Sequence, residues 1–241
     1  MPRLLALVYG VTCYIIFFGT ILDAIWFVWT LDAPQADPPV GRALLINGAL
    51  LGLFALQHSG MARQGFKRAW TKLIPTPIER STYVLAASLA VLVLIAFWQP
   101  LPTVVWELES PLAQGLLHAL FVLGWLMVFY STALLGHFDL FGVKQVWAHY
   151  KNVPYRQPAF AKVGPYKFVR HPIYLGFLIA FWSAPRMTMG HLLLAAVATS
   201  WLFLAILLEE RDLMNALGEP YKHYQSTVSM LIPWPRRRNL S

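Results

Sequence analysis

Two short stretches hold residues whose types and spacing could do chemistry together. The first is Arg170-His171-Pro172, with Val163, Gly164, Pro165 and Tyr166 before it and Tyr174 after it. The second is Glu209-Glu210, which closes a run that is apolar from about 187 to 208. A guanidinium and an imidazole suit a ligand's carboxylate, and two acids suit its ammonium or hydroxyl groups. Gly164-Pro165 is turn chemistry, because glycine tolerates positive φ and proline presets φ near about −65°. The residue before a proline is pushed out of the α region, so His171 is expected to be extended, with Pro172 opening a helix. The free N–H groups of that first turn, backed by the helix dipole, favour a carboxylate.

Blander roles exist for each group. Arg170 and His171 would serve as headgroup anchors, and the acids as solvated ends or partners of Arg211, Arg170 or Lys162. What joins the stretches is the break Ser183-Ala184-Pro185-Arg186 between apolar segments 172–183 and 187–208. It predicts a helical hairpin whose two open ends meet. The acids are expected at the C-terminal end of the second helix, where the dipole disfavours them unless a partner is present.

Further candidates are His58 and His137, at the ends of apolar segments and followed by Ser59 and by Phe138-Asp139. Imidazole titrates in the range a general base needs near neutrality. For each of them an interfacial anchor is the default role. Asp23 lies within the first apolar segment, where an acid is a functional candidate, although it is near the outer end. There is no His-x-x-x-His pair and no Cys/His cluster, so no metal site is expected. Cys13 is the only cysteine, which excludes an intramolecular disulfide.

The elements that must position these groups follow from composition. Of 241 residues, 58% are apolar and 12% charged, against roughly 25% charged in soluble domains. Segments of about 4–29, 43–57, 82–98, 112–135, 172–183 and 187–208 read as membrane helices, a span needing about 20 residues. The first is longer than the roughly 7–15 residues of a signal-peptide core and is expected to remain as a helix. Arg63, Lys67, Arg68, Lys72 and Arg80 fall in one connection. Lys144, Lys151, Arg156, Lys162, Lys167 and Arg170 fall in another, and Arg211, Lys222 and Arg236-Arg237-Arg238 follow the last segment. The remaining connections hold Asp32, Asp37, Glu107 and Glu109; Arg42 and Arg186 are exceptions. This asymmetry places both termini in the cytoplasm, with an even number of crossings. Stripes of Phe66, Trp70, Leu73 and Ile74, and of Val143, Val146, Trp147 and Tyr150, predict two amphipathic helices lying in the interface. The expected fold is an all-α polytopic bundle of five to six membrane segments with short cytoplasmic amphipathic helices. It forms one domain, with membrane helices over 1–135 and a ligand-binding region over 136–241. No basic face of the kind nucleic acid requires is visible.

Gly164-x-Tyr166-x-x-x-Arg170-His171-Pro172-x-Tyr174-x-Gly176, followed by Glu209-Glu210-x-x-Leu213, Gly218 and Tyr221-x-x-Tyr224, resembles the C-terminal signature of the isoprenylcysteine carboxyl methyltransferase superfamily. Upstream, Gln57-His58-Ser59, Pro77-x-Glu79-Arg80-Ser81-x-Tyr83 and His137-Phe138-Asp139-Leu140-Phe141-Gly142-x-x-Gln145-Val146-Trp147 resemble its branch of bacterial methanethiol S-methyltransferases. The resemblance implies an integral-membrane enzyme using S-adenosylmethionine, with a small volatile or lipophilic thiol as substrate; it implies no protein partner beyond the lipid bilayer around it. It implies a bacterial inner membrane and a site at the cytoplasmic interface. Val163, Gly164, Tyr166, Arg170, His171, Pro172 and Tyr174 would line the cofactor, and Glu209 or Glu210 would hold its ribose hydroxyls or ammonium. For the methyl transfer it implies, His137, His58 and His171 are the candidate bases; His137 is favoured as base or orienter, Asp139 is a candidate for setting its tautomer, and His171 is assigned a structural role in the cofactor loop. Carboxyl methylation of a prenylcysteine-like acceptor, nicotinamide-dependent reduction on a related fold, and a non-enzymatic membrane role are the alternatives.

Overall fold

The computed structural model describes residues 1–31, 33, 38–157 and 162–233. Asp32, Asp37 and Arg236 to Arg238, used above for charge placement, lie outside them. The helices are α1 (Arg3–Thr30), α2 (Val40–Ala62), α3 (Gln64–Trp70), α4 (Thr76–Phe97), α5 (Pro111–Leu134), α6 (His137–Leu140), α7 (Val143–Lys151), α8 (Pro172–Trp182), α9 (Met189–Leu217) and α10 (Glu219–Thr227). Strands β1 (Val104–Glu107) and β2 (Arg186–Thr188) pair with each other. Among the described residues, α1, α2, α4, α5 and α9 are long and apolar enough to cross a membrane. The protein is an integral-membrane helical bundle.

The chain groups into two compact units. One comprises 1–105, 136–159 and 188–191; the other comprises 106–135, 160–187 and 192–241. In the first, α4 packs along both α1 and α2, and α7 lies across α1 and the start of α4. Val146 of α7 is fully buried beside Ala6 and Ile78. Its methyls come within 2.6 Å of where a Cβ on Gly10 would stand, so only glycine permits that approach. Gly142, at φ +88°, starts α7 in a left-handed conformation against Ser81. The predicted α7 stripe is therefore corrected. Val146 and Ala148 face inward while Trp147 is 50% exposed, because α7 packs one face on two helices. The other amphipathic stretch is helical only over Gln64–Trp70.

In the second unit α5 and α8 cross closely. A Cβ on Gly176 would stand 2.7 Å from the Gly124 carbonyl oxygen, and one on Gly124 would stand 2.7 Å from that of Gly176. Small residues of this kind let membrane helices approach where no hydrophobic effect drives them together. Gly176→Leu is expected to destabilise the protein by at least about 1–3 kcal/mol through overpacking. Gly48→Ala, which meets nothing within 4 Å, should leave thermal unfolding in detergent unchanged. Equal unfolding temperatures for the two variants would refute the crossing.

The hairpin is present. Trp182 donates to Thr199 near the connection, and Tyr174 reaches Glu209 at the open end, the register of an antiparallel pair. With 11 residues, α8 is roughly 16 Å long, about half the hydrocarbon thickness. Arg186, an exception to the charge rule, lies 3.7 Å from Glu107 in an ion pair.

Candidate active site

The loop before α8 folds as its turn residues dictate. Gly164 has φ +49° and starts a 3-10 turn, Gly164–Lys167, with Val163 extended before it. His171 is the N-cap of α8 at φ −126°, and Pro172 occupies its first turn. At the other end of the hairpin one expectation fails. Helix α9 does not stop at the acids but runs on to Leu217, so Glu209 and Glu210 sit about two turns before its end. At 29 residues, or roughly 43 Å, α9 exceeds the hydrocarbon and carries its polar last turns out of it. The acids are therefore accounted for by partners, with no unfavourable terminal dipole to offset.

Those partners divide the two acids sharply. Glu210 is buried and faces inward. Arg170 Nε donates to its Oε1 at 2.6 Å, His171 Nε2 donates to the same oxygen at 3.0 Å, and Gln225 Nε2 donates to Oε2 at 2.8 Å. A carboxylate can only accept, so His171 carries its proton on Nε2. Arg170 Nη1 also donates to the carbonyls of Gln225 and Val228. The Arg170 and Glu210 side chains retain 3% and 8% exposure, so this is a closed, desolvated network. Glu209 is different, with 45% of its side chain exposed. It accepts from the Tyr174 hydroxyl at 2.7 Å, and His171 Nδ1 lies 3.9 Å away. The His171 and Tyr174 rings stack at 5.5 Å.

The C-terminal segment closes the structure. Arg170 N–H donates to Ser229 O and His171 N–H to Met230 O, forming a parallel bridge between Val169 and Ser229. Tyr224 of α10 donates to the Tyr166 carbonyl at 2.7 Å. Burial pushes the Tyr224 phenol up to about 12 and raises that of Tyr166, to which the Glu209 charge adds, so both stay protonated donors. The Tyr166 hydroxyl is buried and has no hydrogen-bond partner among the described residues. Sequence reasoning missed Gln225 and the carbonyls of Val228 to Met230. A lone glutamine in a short polar helix carries no signal, and backbone acceptors carry none at all.

The remaining candidates belong to the first unit. His137 opens α6, and its Nε2 lies 3.0 Å from the Tyr14 hydroxyl, with Phe138 and Phe141 around the ring. Burial lowers its pKa, keeping it neutral near pH 7. Asp139 is turned to Lys144, 2.6 Å away, and His137 Nε2 meets Tyr14. His58 lies against the Tyr83 hydroxyl at 3.1 Å and the Phe54 ring. No group of three or more His, Cys, Asp or Glu able to hold a metal occurs among the described residues.

Residues 113–219 match the phospholipid methyltransferase family model. Methanethiol S-methyltransferase 1 of Bradyrhizobium diazoefficiens is 52% identical over 240 residues, covering 97% of this chain and 84% of its own length. Methanethiol S-methyltransferase of Mycobacterium tuberculosis is 47% identical over 242 residues, 98% and 99% of the two chains. Nurim of Xenopus laevis is 32% identical over 180 residues, 69% of this chain and 61% of that protein. No solved structure matches. With relatives this similar across nearly the whole chain, the protein is a methyltransferase and belongs to the integral-membrane family of the bacterial methanethiol S-methyltransferases.

Proposed function

We propose that the protein methylates methanethiol to dimethyl sulfide with S-adenosylmethionine as donor, at the cytoplasmic face of a bacterial inner membrane. The observation that carries the donor assignment is the contrast between the two acids. Glu210 is fully committed to Arg170, His171 and Gln225, while Glu209 is half exposed beside the buried, unpartnered Tyr166 hydroxyl. An exposed carboxylate and a buried phenol with unused hydrogen-bonding capacity fit the ammonium or ribose hydroxyls of that donor. The names of the relatives support the thiol, and the basic connections support the cytoplasmic face.

Bound there, the donor would supply a sulfonium methyl as electrophile. The chain's own residues then have three tasks. Glu209, oriented by Tyr174, holds the ligand's polar groups. Arg170 is a positioning residue, because its guanidinium is spent on Glu210 and two carbonyls. A thiol with a pKa of about 8.5 is mostly protonated near neutrality, so a base is useful. His137, kept neutral by burial, would be the base that takes the S–H proton, while the donor's methyl–sulfur bond would break as the new C–S bond forms and S-adenosylhomocysteine leaves. Tyr14 orients its ring, and Asp139 fixes α6–α7 through Lys144. His58, against Tyr83, is the second candidate base.

The test is an assay of purified protein with methyl-labelled S-adenosylmethionine against methanethiol, longer thiols and a prenylcysteine. Methanethiol should be the best acceptor. The acid limb of the pH profile should lie below the ordinary histidine value of about 6.5, since a lowered pKa keeps the base form to lower pH. His137→Ala should lower turnover by roughly 10²–10⁴-fold, the usual contribution of a positioned base. Label transfer only to prenylcysteine would overturn the substrate, and unchanged turnover of His137→Ala at every pH would remove His137 from the chemistry.

A further inference from the structure

The outward face of α7 is a candidate lipid surface. The helix crosses α1 where Val146 meets Ala6 and Gly10, roughly 5–10 Å along α1 from Arg3. Interfacial amphipathic helices settle about 5–10 Å into the boundary between headgroups and acyl chains, and a crossing this close to the charged end of α1 suits that position. The face pointing away from α1 and α4 is neither plainly apolar nor plainly charged. Trp147 is 50% and Tyr150 39% exposed, and the Lys151 ammonium lies over both rings, 5.1 and 5.7 Å from their centroids. Exposed Val153 and Tyr155 follow immediately, with Arg156 next.

The charge around this face is one-sided. The first unit carries Arg3, Arg63, Lys67, Arg68, Lys72, Arg80, Lys144, Lys151 and Arg156 at the ends and connections of its helices on this side, against Glu79 and Asp139. Asp139 is already taken by Lys144. Aromatic rings at headgroup level with a cation above them match an anionic headgroup, whose phosphate meets the ammonium while the glycerol and upper acyl carbons meet the rings. A soluble polyanion would have no use for the Trp147 and Tyr150 faces at this depth.

We propose that α7 binds the headgroup of an anionic phospholipid through Lys151, Trp147 and Tyr150, so that the first unit selects anionic over zwitterionic lipid. The inference is independent of the methyl-transfer chemistry. The full-length protein would be placed in nanodiscs of equal parts phosphatidylcholine and phosphatidylglycerol, and the lipids it retains counted by native mass spectrometry. The wild type should retain phosphatidylglycerol preferentially. Lys151→Gln should weaken that preference roughly fivefold, the worth of one cation near a charged surface, and Trp147→Ser should weaken it further. Both positions are exposed, so unfolding temperatures should not change. No preference in the wild type, or an unchanged preference in Lys151→Gln, would overturn the proposal. Displacement of the lipid by excess glycerol 3-phosphate would also overturn it, because the site would then be a small-anion pocket.

Discussion

Glu210→Ala is expected to cost about 3–5 kcal/mol and to disorganise the C-terminal half of the site, because it leaves the Arg170 guanidinium buried without its counter-charge. Arg170 is 5% and Glu210 6% exposed, and neither can turn to water without opening the structure. The carboxylate also holds His171 and Gln225, so its removal takes one acceptor away from three donors at once. Arg170→Ala should cost a similar amount by the converse route, stranding the carboxylate and releasing the carbonyls of Gln225 and Val228. The double variant should cost much less than the sum of the two, since each single change already destroys the shared interaction. Arg170→Lys should rescue poorly, because one ammonium cannot reproduce the directed fork that reaches Glu210 and two carbonyls. Thermal unfolding in detergent and limited proteolysis of the segment after α10 would report these effects. Additive single and double variants would show that the pair is not coupled.

Much of this arrangement was legible in the residues, and the parts that were not share one cause. Gly164-Pro165 and His171-Pro172 specify their backbone locally, through positive φ and the restriction before proline, and both appear where expected. The hairpin followed from the polar break at Ser183 to Arg186 between two apolar runs. Hydropathy could not show that α9 continues past Glu209. A helix leaving the membrane loses its apolar signal without losing its backbone bonds, and Leu213, Ala216 and Leu217 are too few to restore it. The α7 stripe erred for a related reason. Val146 and Trp147 are neighbours in sequence, and only the packing of α1 and α4 decides which of them turns inward. Roles at the site depended on partners from far along the chain. Nothing local to Glu209-Glu210 distinguishes the two acids; Arg170, Tyr174 and Gln225 make the distinction.

That distinction leads to the second large effect. Glu209→Gln is expected to weaken ligand binding by about 10- to 100-fold while leaving the fold intact, since a hydrogen bond to a charged group is worth about 1.5–3 kcal/mol. The side chain is 45% exposed, and the partner bonded to it, the Tyr174 hydroxyl, would find the amide oxygen of Gln in the same place. Stability should therefore move by no more than about 0.5 kcal/mol. The affinity should move because the amide cannot offer a full negative charge to an ammonium, nor two acceptors to vicinal hydroxyls. Tyr174→Phe should give a smaller loss of the same sign, by freeing the Glu209 rotamer. Calorimetric titration with S-adenosylhomocysteine separates the alternatives, because that ligand keeps the ammonium and ribose but lacks the sulfonium. Normal affinity in a well-folded Glu209→Gln variant would mean the acid holds neither group. The half-exposed carboxylate would then have to be explained by Tyr174 and solvent alone.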